Sequence, residues 1–138
     1  MEVPASQTLL DFLRSNGITS VKRGCESGEC GACAVLVDHE PRASCITLTL
    51  QADGREVKTV EALSTRLELS ELQKRFVEVG AIQCGYCTPA LILLAEHFLN
   101  SVESPSEREV REAISGVLCR CTGYVKPVEA IKKEIKLN

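Results

Sequence analysis

The first apolar positions keep a helical spacing. Leu9, Leu10, Phe12 and Leu13 give one face of a short helix expected from Leu9 to Asn16. Thr8 and Asp11 resemble a capping box in which Asp replaces Glu or Gln, and Gly17 suits the position after the last turn. Ahead of it, the residues around Val3 read as the tail of a strand. Further on the period shortens to two. Ala34 to Asp38 (AVLVD) reads as a strand, with a turn over His39 to Arg42. Ser44 to Leu50 alternates, with Cys45, Thr47 and Thr49 on one face and Ile46, Leu48 and Leu50 on the other, which predicts a second strand. Ala52 to Arg55 is a turn signal, and Glu56 to Val60 a further strand.

From Glu61 no β-rich run returns. Helices are predicted over Glu71 to Val79, closed by Gly80, and from the Thr88 cap with Pro89 behind it to about Leu99. Ser106 and Glu109 form a capping box for a third helix ending at Gly116, and Pro127 opens a fourth reaching about Leu137. The expected fold class is α+β: a strand-rich half with one helix, then a four-helix half. The change of character falls near residues 62–68, which predicts two domains, 1–65 and 66–138.

Composition removes several function classes. Sixteen basic and nineteen acidic residues are well mixed, for a net charge of −3, so a basic nucleic-acid surface is not expected. Two Tyr, three Phe and no Trp offer little for base stacking. The longest apolar run, Ala90 to Ala95, is too short to span a bilayer. MEVPASQT carries neither basic flank nor apolar stretch, so no signal peptide is visible.

The candidate chemistry lies in the cysteines, 8 in 138 residues. Nothing directs export, so a disulfide framework is disfavoured. The cysteines also fall in two groups: Cys25-x4-Cys30-x2-Cys33-x11-Cys45, then Cys84-x2-Cys87-x31-Cys119-x1-Cys121. Two sets of four suit two tetrathiolate centres, zinc or iron–sulfur. The first set opens with the plant-type 2Fe–2S spacing, in a loop (RGCESGECGAC) whose glycines let peptide N–H groups approach sulfur. Zinc sites rarely pack three cysteines in such a loop. In the second set, CGYC alone also reads as a zinc half-site or a redox pair. Its flanks are helical, however, and the one-residue spacing of CRC is unusual for zinc. Two such pairs suit a rhomb with one pair per iron. Cys84 and Cys87 precede one helix start and Cys119 and Cys121 another, and free N–H groups there would stabilise an anionic cluster.

GCESGECGACAVLVD, SCITL, VEAL, QCGYCTPALIL and LCRCTGY resemble the small iron–sulfur subunit of the molybdenum hydroxylases. This is the xanthine dehydrogenase, aldehyde oxidoreductase and carbon monoxide dehydrogenase family, and the resemblance runs from about Val3 to Lys133. It implies a β-grasp, ferredoxin-like 2Fe–2S domain followed by a four-helix-bundle 2Fe–2S domain. It also implies that Cys25, Cys30, Cys33 and Cys45 hold an outer cluster on the flavin side. Cys84, Cys87, Cys119 and Cys121 would hold an inner cluster near a molybdenum–pterin cofactor, with Gln83 contacting the pterin. A local backbone hydrogen bond is the plainer role for Gln83. Three departures stand out. Family members usually have another strand before MEVPASQT, so an edge strand is expected to be missing or truncated. Ala90 stands where Gly is usual, and Pro127 where an aliphatic residue is common, which should alter how the last helix begins.

The resemblance implies an electron-transfer subunit with no substrate chemistry of its own. It would relay electrons from molybdenum–pterin on a large partner, through two 2Fe–2S clusters, to FAD on a medium partner. The assembly would be a heterotrimer or its dimer. Thiolate clusters need a reducing compartment, which suggests the cytoplasm. The alternatives are a stand-alone ferredoxin-like carrier, a zinc interaction module, and a cluster-based sensor. His39 and His97 are far from the cysteines in sequence and read as structural or solvent-facing; Arg120, between two cysteines, reads as a tuning charge or as a solvated or partner-facing one.

Overall fold

The computed structural model describes residues 3–65 and 67–135. Helix α1 (Leu9–Ser15) starts where the sequence places it. The Thr8 hydroxyl accepts the Asp11 N–H at 3.1 Å and donates to the Asp11 carboxylate at 2.7 Å. Leu9, Leu10 and Leu13 are buried against Val35 and Val37 of strand β1 (Ala34–Val37). Asp38 and His39, both with positive φ, turn β1 back into β2 (Glu40–Ala43). A third strand, β3 (Val57–Lys58), pairs with the other side of β1, so the antiparallel sheet runs β2-β1-β3.

Several expectations in this half need correction. The turn occupies Asp38 and His39, not His39 to Arg42. Glu40–Ala43 is a strand that carries Pro41 at the sheet edge, where a missing N–H costs no ladder bond. Val3 lies outside any strand, and the expected strand over Glu56 to Val60 shrinks to Val57–Lys58 before a 3-10 turn at Val60–Leu63. Ser44 to Leu50 is not a strand. It forms 3-10 turns at Ser44–Ile46 and Thr49–Ala52 around an extended Thr47 and Leu48. Its backbone is satisfied by α1's leading residues instead of a ladder: Leu9 N–H donates to the Thr47 carbonyl at 2.7 Å, and Thr49 N–H to that of Gln7 at 2.9 Å. The division into two faces persists without a ladder. Cys45 and Thr49 are buried while Ile46, Leu48 and Leu50 face outward.

The remaining helices are α2 (Glu71–Glu78), α3 (Thr88–Leu99), α4 (Glu107–Ile114) and α5 (Val125–Ile135). Ser70 and Ser106 begin α2 and α4 with full capping boxes. Thr88 is already helical and Cys87 is the cap, so Pro89 falls one position deeper than expected. Helix α5 starts at Val125, and Pro127 sits in its first turn, where no intrahelical N–H bond is lost. Its expected end at Leu137 lies outside the described residues.

Leu72, Phe76, Leu91, Val110, Ile114 and Ile131 are at most 1% exposed and fill a core among these helices. Burying each such side chain contributes roughly 1.5–3 kcal/mol. A separate core forms around α1 and β1. The halves meet at β1: Val35 and Val37 face the first core, while Ala34, with Val60 and Leu63, packs on the helical one. Helix α3 lies against β1.

Candidate metal centres

The first cysteine set sits in the loop between α1 and β1, plus the 3-10 turn at Ser44–Ile46. Sγ of Cys25 accepts N–H bonds from Ser27 at 3.4 Å and from Glu29 and Cys30 at 3.3 Å. The Cys25 N–H in turn reaches Sγ of Cys30 at 3.4 Å. The Ser27 hydroxyl, then the amides of Ser27 and Cys30, hold the Cys25 thiol down at about 6. A Cβ on Gly24 would stand 2.5 Å from Sγ of Cys30, so the loop closes on sulfur only with glycine there. Cys33 and Cys45 are buried and adjacent, and burial with the neighbouring Cys33 thiol pushes Cys45 up to about 11. The Ser44 hydroxyl donates to the Cys33 carbonyl at 2.7 Å and fixes the turn that presents Cys45.

The second set comes from two loops, residues 81–87 before α3 and residues 117–124 before α5. Burial, then the nearby Cys119 thiol, pushes Cys87 up to about 12. Cys121 is raised chiefly by a hydrogen bond to Cys84. At Cys119 burial works the other way, but hydrogen bonds from Thr122 keep the thiol below its ordinary value. The two loops thus bring their sulfurs together, with Cys121 beside Cys84 and Cys87 beside Cys119. Among the described residues no three ligand-type side chains close on one point, as a single ion would need. Sulfurs gathered in pairs fit a dinuclear rhomb, and the raised thiols would become thiolates on metal binding.

The loop at 117–124 has a hydroxyl framework that spacing alone did not single out. The Tyr124 phenol donates to the Val117 carbonyl at 3.0 Å and accepts the Cys119 N–H at 2.9 Å. Thr122 Oγ1 lies 3.0 Å from Sγ of Cys119 and accepts the Tyr124 N–H at 3.2 Å. Tyr124 has φ +65°, a left-handed conformation costly for a bulky residue, which these bonds hold in place. The signal was available, since both hydroxyls stand within CRCTGY.

The two sets are stitched together. Leu118 N–H donates to the Cys30 carbonyl at 2.9 Å, and the Tyr86 hydroxyl donates to the Arg23 carbonyl. A Cβ on Gly31 would stand 2.0 Å from the Gly116 oxygen. Gln83 is exposed beside Cys84, and Arg120 is exposed between its cysteines. His39 is exposed in its turn and His97 is partly buried in α3.

Comparison with known proteins agrees with this donor chemistry. Residues 1–64 match the family described as "2Fe-2S iron-sulfur cluster binding domain", and residues 59–132 match "[2Fe-2S] binding domain". The "Nicotinate dehydrogenase small FeS subunit" of Eubacterium barkeri is 45% identical over 132 residues, covering 95% of this chain and 84% of the relative. The chain belongs to the small iron–sulfur subunits of the molybdenum hydroxylases.

A second member, the "Xanthine dehydrogenase iron-sulfur-binding subunit" of Escherichia coli O157:H7, is 42% identical, over 89% of this chain and 79% of the relative. The structure of quinoline 2-oxidoreductase from Pseudomonas putida 86 matches with a TM-score of 0.90 at 45% identity, over 94% of this chain and 80% of that one. Like other small iron–sulfur subunits, the chain is an electron-transfer component of an oxidoreductase complex. Its cofactors are two 2Fe–2S clusters, while molybdenum–pterin and FAD are carried by partner subunits in the family. No helix among the described residues is long and apolar enough to cross a membrane.

Proposed function

We propose that Cys25, Cys30, Cys33 and Cys45 hold an outer 2Fe–2S cluster on the flavin side, and Cys84, Cys87, Cys119 and Cys121 an inner cluster on the molybdenum–pterin side. When bound, such clusters supply one-electron transfer. The chain's own residues hold and space them. In the second site the loop at 81–87 would supply Cys84 and Cys87, and the loop at 117–124 Cys119 and Cys121. The observation that carries the relay reading is the bond from Leu118 N–H to the Cys30 carbonyl at 2.9 Å. It joins the backbone of one ligand to the residue preceding another, so the sites connect through covalent bonds and a single hydrogen bond.

The domain reading follows the two cores: a β-grasp, ferredoxin-like domain at 1–65 and a four-helix bundle at 66–138. The exposed Gln83 amide, beside Cys84, meets the pterin edge through its paired donor and acceptor. The partners are a large molybdopterin-binding chain and a medium FAD-binding chain, in a heterotrimer or its dimer in the cytoplasm. Exposed Ile82, Tyr86, Leu118 and Val125 flank the second cysteine set and support a buried interface there.

Metal analysis and EPR of the anaerobically purified chain test the ligand assignment. Two 2Fe–2S sites give about four irons per chain and two reduced-state signals. Cys121→Ser is expected to lower this to about two irons, with the first signal retained. Stoichiometric zinc with no EPR signal on reduction would sink the assignment.

A further inference from the structure

We propose that Thr122 sets the reduction potential of the second cluster by donating its hydroxyl hydrogen bond to the Cys119 sulfur. The inference rests on Cys119 being a cluster ligand. Thr122 Oγ1 lies 3.0 Å from Sγ of Cys119 and accepts the Tyr124 N–H at 3.2 Å. A hydroxyl has one hydrogen and two lone pairs. With an amide on a lone pair, the hydrogen is left for the sulfur, and a ligand thiolate can only accept it. The direction of this bond is therefore fixed once Cys119 is a thiolate ligand.

The surrounding loop keeps the donor in place. The Tyr124 phenol occupies the Cys119 N–H at 2.9 Å and ties it to the Val117 carbonyl. Thr122 is partly buried, which limits exchange of its bond for one to water. The first set is built differently. There the Cys25 sulfur takes N–H donors from the backbone of Ser27, Glu29 and Cys30, with the Ser27 hydroxyl beside them. Replacing Thr122 therefore removes a donor at the second cluster and leaves those at the first in place. Reduction by one electron adds negative charge that the ligand sulfurs share, so a hydroxyl donor favours the reduced state and raises the potential.

The test uses the full chain with both clusters assembled, as wild type, Thr122→Val and Thr122→Ser. Iron and sulfide are counted first, then each EPR signal is followed through a redox titration. In Thr122→Val the reduced-to-oxidised ratio of the second cluster at a fixed poise is expected to fall roughly tenfold, about 59 mV for a one-electron couple. The first signal stays in place, and Thr122→Ser restores the second. The Fe–S(Cys) Raman bands of the wild type are expected to shift in deuterated water; this measurement stands if Thr122→Val assembles poorly, and no shift would count against a donor at sulfur. A loaded Thr122→Val chain with an unmoved second potential overturns the inference, as do two potentials moving together or Thr122→Ser behaving like Thr122→Val. A wild-type chain with only two irons overturns the ligand assignment itself, a separate result from four irons with unmoved potentials.

Discussion

Gly31 has no room for a side chain. Its Cβ would stand 2.0 Å from the Gly116 oxygen, 2.9 Å from the carbonyl carbon and 3.0 Å from Cα of Val117, all backbone atoms, at φ +67°. Gly80 has a similar φ of +65° but nothing within 4 Å. The pair separates strain from collision. Gly80→Ala is expected to cost about 1–2 kcal/mol, the ordinary penalty of a left-handed L-residue. Gly31→Ala is expected to cost at least about 2 kcal/mol more, since the loops must part. Urea unfolding of both variants measures the difference, and equal costs would mean the loops do not touch as described. The eight cysteines and their grouping were plain in the sequence, because ligand spacing is local. Their pairing was not. Cys84 lies beside Cys121 and Cys87 beside Cys119 across two loops, a proximity set by tertiary packing and not by spacing.

Helices were the most legible elements, because a cap and a periodic face are encoded within a few residues. Thr8 and Ser106 act as the sequence predicts. Ser44 to Leu50 was misread because a period of two cannot tell a strand from 3-10 turns held by distant partners. The partners are the carbonyl of Gln7 and the N–H of Leu9, some forty residues away. The helical half also holds a charge cluster. Glu96 on α3 is partly buried, and burial, then the Glu134 carboxylate on α5, raises its pKa above the usual 4.5. Arg75 on α2 approaches Glu134 at 3.5 Å. A carboxyl with a raised folded pKa binds its proton more tightly in the native state than in the unfolded one. Its favourable contribution is full below the unfolded value and is lost as pH rises through the folded value. Glu96→Gln, which stays neutral, is therefore expected to raise Tm modestly near pH 7 and less near pH 4.5. Thermal melts at both pH values decide it, and a pH-independent difference would count against this origin.

At the scale of the whole molecule, two small cores share one strand. β1 gives Val35 and Val37 to the first and Ala34 to the second, so neither half is closed without the other. Four of the large apolar residues left outside, Ile82, Tyr86, Leu118 and Val125, flank the second cysteine set. Leu118 is 61% exposed, yet its backbone N–H is committed to the Cys30 carbonyl. Leu118→Asp is thus expected to leave iron content and spectra intact while weakening binding to the large molybdenum chain about tenfold or more, as for a buried interface anchor. Titration of the variant against that chain measures the loss; unchanged affinity would move the interface elsewhere.

The closeness of Gly31 to Gly116 has a kinetic meaning. Electron tunnelling falls steeply with distance, so a hinge between two clusters would make every transfer wait on a favourable fluctuation. Here backbone meets backbone with no side chain between to yield, and Leu118 and Tyr86 pin the contact on either side. The gap is set by the fold itself, and the rate across it should vary little with how the partners move.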